Sequence, residues 1–231
     1  MTVVATSQRA SRQQWLVDAI ADERRSLADL FETLTPAQLA SPSLCSGWSV
    51  HHVAAHVTTL FNVSMPGMAM RILGEQLSPS RAIDRVTRQM ANRPIEGIIA
   101  QLRDCATDRR HPPGRPLAPL ADLVIHGEDV RRPLGLRREV PFERVSASMQ
   151  LVTGGRAIGF LPGSRVRGLR FVATDGDGTW GKGGAIIHGP AISLLLAAMG
   201  RPVALRDLGG AVGLLNERIE RETRRRDPRP V

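Results

Sequence analysis

Apolar residues recur at helical spacing through the first 135 positions, and prolines interrupt them at intervals. Such a stretch buries its apolar face only by stacking one helix on another. Between Ser7 and Leu34 the apolar positions Trp15, Leu16, Ile20, Leu27, Leu30, Phe31 and Leu34 form one stripe of a long amphipathic helix, which Thr35-Pro36 ends. Pro42 to Trp48 reads as a loop. Ser49 suits the cap of a second helix running to about Leu73, with Val53, Val57, Leu60 and Phe61 inward. A third begins at Ser80, breaks at Pro94, and resumes with Ile95, Ile98, Ile99, Leu102 and Cys105. After the connector His111 to Pro116, Pro119 fits the first turn of a fourth helix, which Pro133-Leu134-Gly135 terminates. The expectation is a four-helix bundle.

The remainder changes character. Pro141 to Thr153 has a helical pattern, whereas Arg167 to Thr174 alternates like a strand. Asp175-Gly176-Asp177-Gly178 is a hairpin turn candidate with Thr179-Trp180 on the return, and Ile186-Ile187 is a further short strand. Helices are expected over Pro190 to Met199 and from Val212 to about Arg224. The fold class is therefore α+β: a bundle over residues 1–138, then a small α+β domain over 139–231.

Composition narrows the function. With 42% apolar and 23% charged residues the chain reads as an ordinary soluble, cytoplasmic protein, with no apolar run long enough to span a membrane. The net charge of +9 invites a nucleic-acid reading, but aromatics make up only 3%, and the densest arginine run, Arg218 to Arg229, alternates with acidic residues. No nucleic-acid partner is expected. Cys45 and Cys105 stand far apart, which fits two reduced thiols rather than a zinc ribbon or a disulfide framework; Cys45 also lies near a possible pocket rim, just before Gly47-Trp48.

Two histidines carry the chemical interest. Asp122 and His126 are four apart and share one helical face, and His56 lies beside the buried stripe of the second helix. Two imidazoles and a carboxylate leave a tetrahedral zinc with one open position, as catalytic sites do. His52, four residues before His56, is the rival ligand to Asp122; otherwise it lines the entrance or helps cap the turn.

The stretch Leu44-Cys45-Ser46-Gly47-Trp48-Ser49-Val50, followed by Val53-Ala54-Ala55-His56, resembles the first motif of the mycothiol-dependent maleylpyruvate isomerase family, which belongs to the DinB-like metal-binding four-helix bundles. Asp122 through Gly135 resembles its second motif over fourteen continuous positions, and the segment from Trp180 to Pro202 is similar to its C-terminal domain. The resemblance implies a divalent metal, usually zinc, held by His56, Asp122 and His126, and mycothiol as a thiol cosubstrate acting on a small electrophile. It also implies either an isomerase, in which the thiolate adds reversibly to a double bond, or a transferase, in which it stays attached. A metal-binding relative without catalysis, serving ligand binding or stress response, is the alternative.

Around that site, Asp129 is placed to orient His126 or to pair with Arg132. Arg131 and Arg132 either reach anionic groups of thiol or substrate, or cover the helix C-terminus. The partners expected are small molecules, with the protein as monomer or homodimer. Asp175 to Thr179 starts like a calcium loop, but Ile186 stands where a bidentate Glu is required.

Overall fold

The computed structural model describes residues 2–154 and 163–226. The chain divides into two compact units, Met1–Glu139 and Val140–Val231. The first is helical and the second carries a mixed sheet, so the fold is α+β.

The first unit contains α1 (Thr2–Thr33), α2 (Pro36–Ala40), α3 (Val50–His56), α4 (Thr59–Asn62), α5 (Met65–Gly74), α6 (Pro79–Met90), α7 (Ile95–Asp104) and α8 (Ala118–Arg131). α1 packs on α7 and α8, and α3 packs on α6, α7 and α8. Leu27 and Phe31 of α1, Val50 and Val53 of α3, Ile98 and Leu102 of α7, and Leu120 and Ile125 of α8 are buried. Truncating one of these leucines to alanine would cost about 2–5 kcal/mol, through lost transfer energy and the cavity left behind.

Two expectations shift. Trp15 does not face inward; it is 36% exposed, and among the described side chains of α1 burial begins at Ala19. At 32 residues α1 is about 48 Å long, while α7 and α8, with 10 and 14 residues, reach about 15 and 21 Å. Its partners cover only the later turns. The second helix is not continuous to Leu73 but breaks at Val57 and again at Val63, where Ser64 caps α5 by accepting from the Gly67 N–H and Pro66 occupies its first turn. The break leaves His56 in the last turn of α3.

The second unit contains α9 (Phe142–Thr153), α10 (Gly163–Val166), β1 (Leu169–Ala173), β2 (Thr179–Gly181), β3 (Ala185–Gly189), α11 (Ala191–Ala198), a 3-10 turn over Pro202–Asp207, β4 (Gly209–Gly210) and α12 (Val212–Arg226). The sheet order is β2-β1-β3-β4. β1 pairs antiparallel with β2 and parallel with β3, and β3 pairs antiparallel with β4. Leu169, Phe171 and Ile187 are buried, and α11 packs on β1 and β3. The backbone passes so close at Gly183 that a Cβ there would lie 1.8 Å from the Gly168 carbonyl, which admits no side chain. Asp175 caps α11, its Oδ1 accepting the Ala191 N–H at 2.9 Å. Among the described residues, no helix is long and apolar enough to cross a membrane.

Candidate metal centre

Ser49 begins α3 with a reciprocal cap. Its hydroxyl accepts the His52 N–H, and His52 Nδ1 accepts the Ser49 N–H at 3.3 Å. Gly47, at φ +75°, supplies the left-handed turn that brings the chain into this cap. α3 then runs two turns and delivers His56 to the bundle interior opposite α8, whose central residues are buried on nearly all sides.

Three side chains converge there. His56 Nε2 lies 3.7 Å from Asp122 Oδ1, and His126 Nε2 lies 3.4 Å from the same oxygen. One donor atom from each of the three residues falls within 4.8 Å of the others. The imidazoles meet edge to face with centroids 4.7 Å apart. Each ring has its other nitrogen occupied elsewhere: His56 Nδ1 is 3.2 Å from Thr87 Oγ1 on α6, and His126 Nδ1 is 2.9 Å from Asp129 Oδ2. Both Nε2 atoms are thereby left to face Asp122.

That donor set fits a divalent cation. Zinc bonds of about 2.0–2.2 Å to nitrogen and oxygen set neighbouring tetrahedral donors roughly 3.3 Å apart, near the separations seen. The carboxylate carries charge already. Burial opposes ionisation of Asp122, yet the charges and hydrogen bonds of His126 and His56 outweigh it and hold the carboxyl far below its usual range. At His126, burial disfavours the imidazolium, but Cys45, Asp122 and Asp129 raise its pKa well above that of a free imidazole.

Trp48 covers the pair, its ring 5.0 Å from His56 and 6.5 Å from His126. The indole is pinned, because Nε1–H donates to Asp84 Oδ1 at 2.7 Å. Arg88 ties Asp84 and the Gly47 carbonyl together. Burial works against the Asp84 charge, but hydrogen bonds from Arg88 and Trp48 keep its pKa low.

The structure thus brings together His56, Asp122, His126 and Asp129. It places the remaining candidates elsewhere. His52 is engaged in the α3 cap, with its pKa lowered by burial and by the charges of Arg88 and His51. Arg131 is buried and donates to Ser26 Oγ on α1 at 3.1 Å. Arg132 pairs with Glu128 at 3.1 Å. One residue absent from the sequence reading touches the site: Thr87, whose signal was a hydroxyl within the buried stripe Ala82, Val86, Met90. Cys45, read as a reduced core thiol or a position near a pocket rim, donates to Asp129 Oδ2 at 3.1 Å; no spacing rule links positions 84 apart.

Residues 20–116 match the family model described as the mycothiol maleylpyruvate isomerase N-terminal domain. That match spans position 56 but stops short of α8, and the grouping of His56, Asp122 and His126 rests on geometry. The crystal structure of the mycothiol-dependent maleylpyruvate isomerase superposes with a TM-score of 0.53 at 15% identity, covering 88% of this chain and 93% of that one. A histidine-to-alanine mutant of that enzyme gives the same TM-score and coverage at 14% identity. No curated protein matches the sequence. Residues 20–116 are thus similar to the mycothiol maleylpyruvate isomerase N-terminal domain, and the chain as a whole shares the fold of the mycothiol-dependent maleylpyruvate isomerase.

Proposed function

We propose that this protein is a metal-dependent enzyme that uses mycothiol to isomerise, or to modify by S-transfer, a small electrophilic substrate. The observation carrying this reading is the convergence of His56 Nε2, His126 Nε2 and Asp122 Oδ1 on one point inside a helical unit. Three protein donors leave a fourth position open on zinc, which a thiol can take. A dication bound there supplies a thiolate at neutral pH, the form of sulfur that attacks carbon.

The chain's own groups prepare that position. Thr87 and Asp129 engage the Nδ1 atoms, so neither imidazole can rotate its Nε2 away without losing a hydrogen bond. Trp48 shields one side of the rings from water, which strengthens every charge interaction beneath it. Isomerisation requires the thiolate to add to an activated double bond and leave again; transfer requires only the first half.

Elemental analysis of the purified protein and of His56→Ala and His126→Ala tests the site. The native protein should hold about one divalent ion per chain, while both variants should fold and lose it. Full occupancy in both variants would remove the assignment. Turnover of a panel of electrophiles with mycothiol, abolished by metal removal, tests the activity. Metal and thiol binding without turnover across the panel would instead favour a binding protein.

A further inference from the structure

Donor atoms also gather at the opposite edge of the His126 ring. Cys45 Sγ lies 3.1 Å from Asp129 Oδ2 and 3.6 Å from His126 Nδ1, and those two atoms are 2.9 Å apart. Asp129 has no exposed surface and His126 is 9% exposed. The sulfur is held by a tied backbone rather than a loose loop: the Leu44 N–H donates to the Asp129 carbonyl at 3.0 Å, and the Cys45 N–H donates to Ser43 Oγ at 3.1 Å. Zinc-like bonds of about 2.3 Å to sulfur and 2.0–2.2 Å to nitrogen or oxygen place such donors roughly 3.3–3.6 Å apart. The observed triangle lies within about half an ångström of that geometry.

We propose that Cys45, His126 and Asp129 form a second cation site, selective for thiophilic ions such as Cd2+, whose occupation excludes an ion from the His56–Asp122–His126 set. Thiolate sulfur is the soft donor that such ions prefer, and the set around His56 contains none. Binding releases the Cys45 thiol proton and the Nδ1 proton of the His126 imidazolium to solvent, and replaces the hydrogen bonds from Cys45 and His126 to Asp129 with bonds to the cation. A neutral imidazole has one lone pair. When Nδ1 of His126 gives it to the cation, the ring proton sits on Nε2, facing Asp122, and that edge has nothing to offer a second ion. The two sites share one ligand and are alternatives. A soft ion would thus inactivate the protein without touching its substrate. Only this exclusion rests on the function proposed above; the cadmium site itself does not.

The test uses metal-stripped Cys105→Ser, in which Cys45 is the one remaining thiol, with Cys105→Ala as a substitute should the serine fold poorly. Cd2+ is titrated against a competing chelator while the ultraviolet charge-transfer absorption of the cadmium–sulfur bond is followed. The absorption should saturate at one equivalent, persist when Asp122→Asn is added, vanish with Cys45→Ser, and require at least about tenfold more cadmium with Asp129→Asn. No charge-transfer absorption overturns the proposal. So does an affinity unchanged in Asp129→Asn and His126→Gln, which would mark a bare thiol. Zinc bound to the cadmium-loaded protein should fall to none, and one zinc beside one cadmium would overturn the exclusion. If the cadmium-free protein takes no zinc, the function proposed above fails, while the cadmium absorption remains readable.

Discussion

Asp129 accepts the Nδ1 hydrogen of His126 from one helical turn away, at 2.9 Å, and thereby decides which nitrogen of that ring faces Asp122. Both residues belong to α8, whose backbone is regular from Ala118 to Arg131, so the alignment needs no help from tertiary packing. The same carboxylate oxygen receives the Cys45 thiol, which fixes its orientation from the other side.

Replacing Asp129 by Asn keeps the shape but loses the charge that makes the imidazole a better donor. Metal affinity should fall about 10–100-fold. Chelator competition measures it, and an unchanged affinity would show that His126 holds its orientation by packing alone.

Thr87 plays the corresponding part for His56 from a different helix. Thr87→Val preserves volume but leaves His56 Nδ1–H without its acceptor at 3.2 Å. The loss should cost about 1–3 kcal/mol of stability and weaken metal binding, since the ring is freed to turn. Denaturant unfolding and chelator competition on one preparation read both effects; a variant matching the native protein in both would exclude this role.

How much of this was legible depends on how local each contact is. Asp122, His126 and Asp129 were readable because an uninterrupted helix converts offsets of four and three into shared faces. Spacing placed His56 beside the buried stripe of its own helix, and the resemblance grouped it with Asp122 and His126, a pairing between helices that no offset along one helix gives. Thr87 and Cys45 approach from α6 and from the loop before α3, and contacts of that kind are set by how helices pack. The length of the second helix was overestimated, although Ser64-Met65-Pro66 holds a cap and a first-turn proline. Trp15 misled because a stripe on a helix says which side is apolar, not how far its partners extend.

The metal-free protein should show a distinctive pH response. His126 has a raised pKa when folded, so its contribution is fully present below the unfolded value of about 6.5 and is lost as pH rises through the folded value. Asp122 has a depressed pKa, so its contribution is present above about pH 3.9 and is lost only as pH falls through its folded value. Both operate together between roughly pH 4 and 6.5. The melting temperature of stripped protein should therefore fall from pH 6 into the alkaline range more steeply than that of His126→Gln. Parallel curves for the two proteins would contradict the coupling.

Arg24 offers a test of the scaffold apart from the centre. Its guanidinium is 2% exposed, and Nη1 donates to the carbonyls of Cys105 at 2.9 Å, Ala106 at 2.9 Å and Asp108 at 2.7 Å, which lie just past the end of α7. Its charge lies 4.8 Å above the Phe61 ring. Burial pushes its pKa down to about 10, against the opposing pull of Asp108, so the group stays charged at neutral pH and favours the negative end of that helix. Arg24→Met retains the apolar stem but leaves three carbonyls without their donor, and it should lose about 2–4 kcal/mol. Arg24→Lys returns a charge without the planar fork, and should recover only part of the loss. Urea unfolding of the three proteins ranks them, and a methionine variant as stable as the native chain would mean that water satisfies those carbonyls equally well.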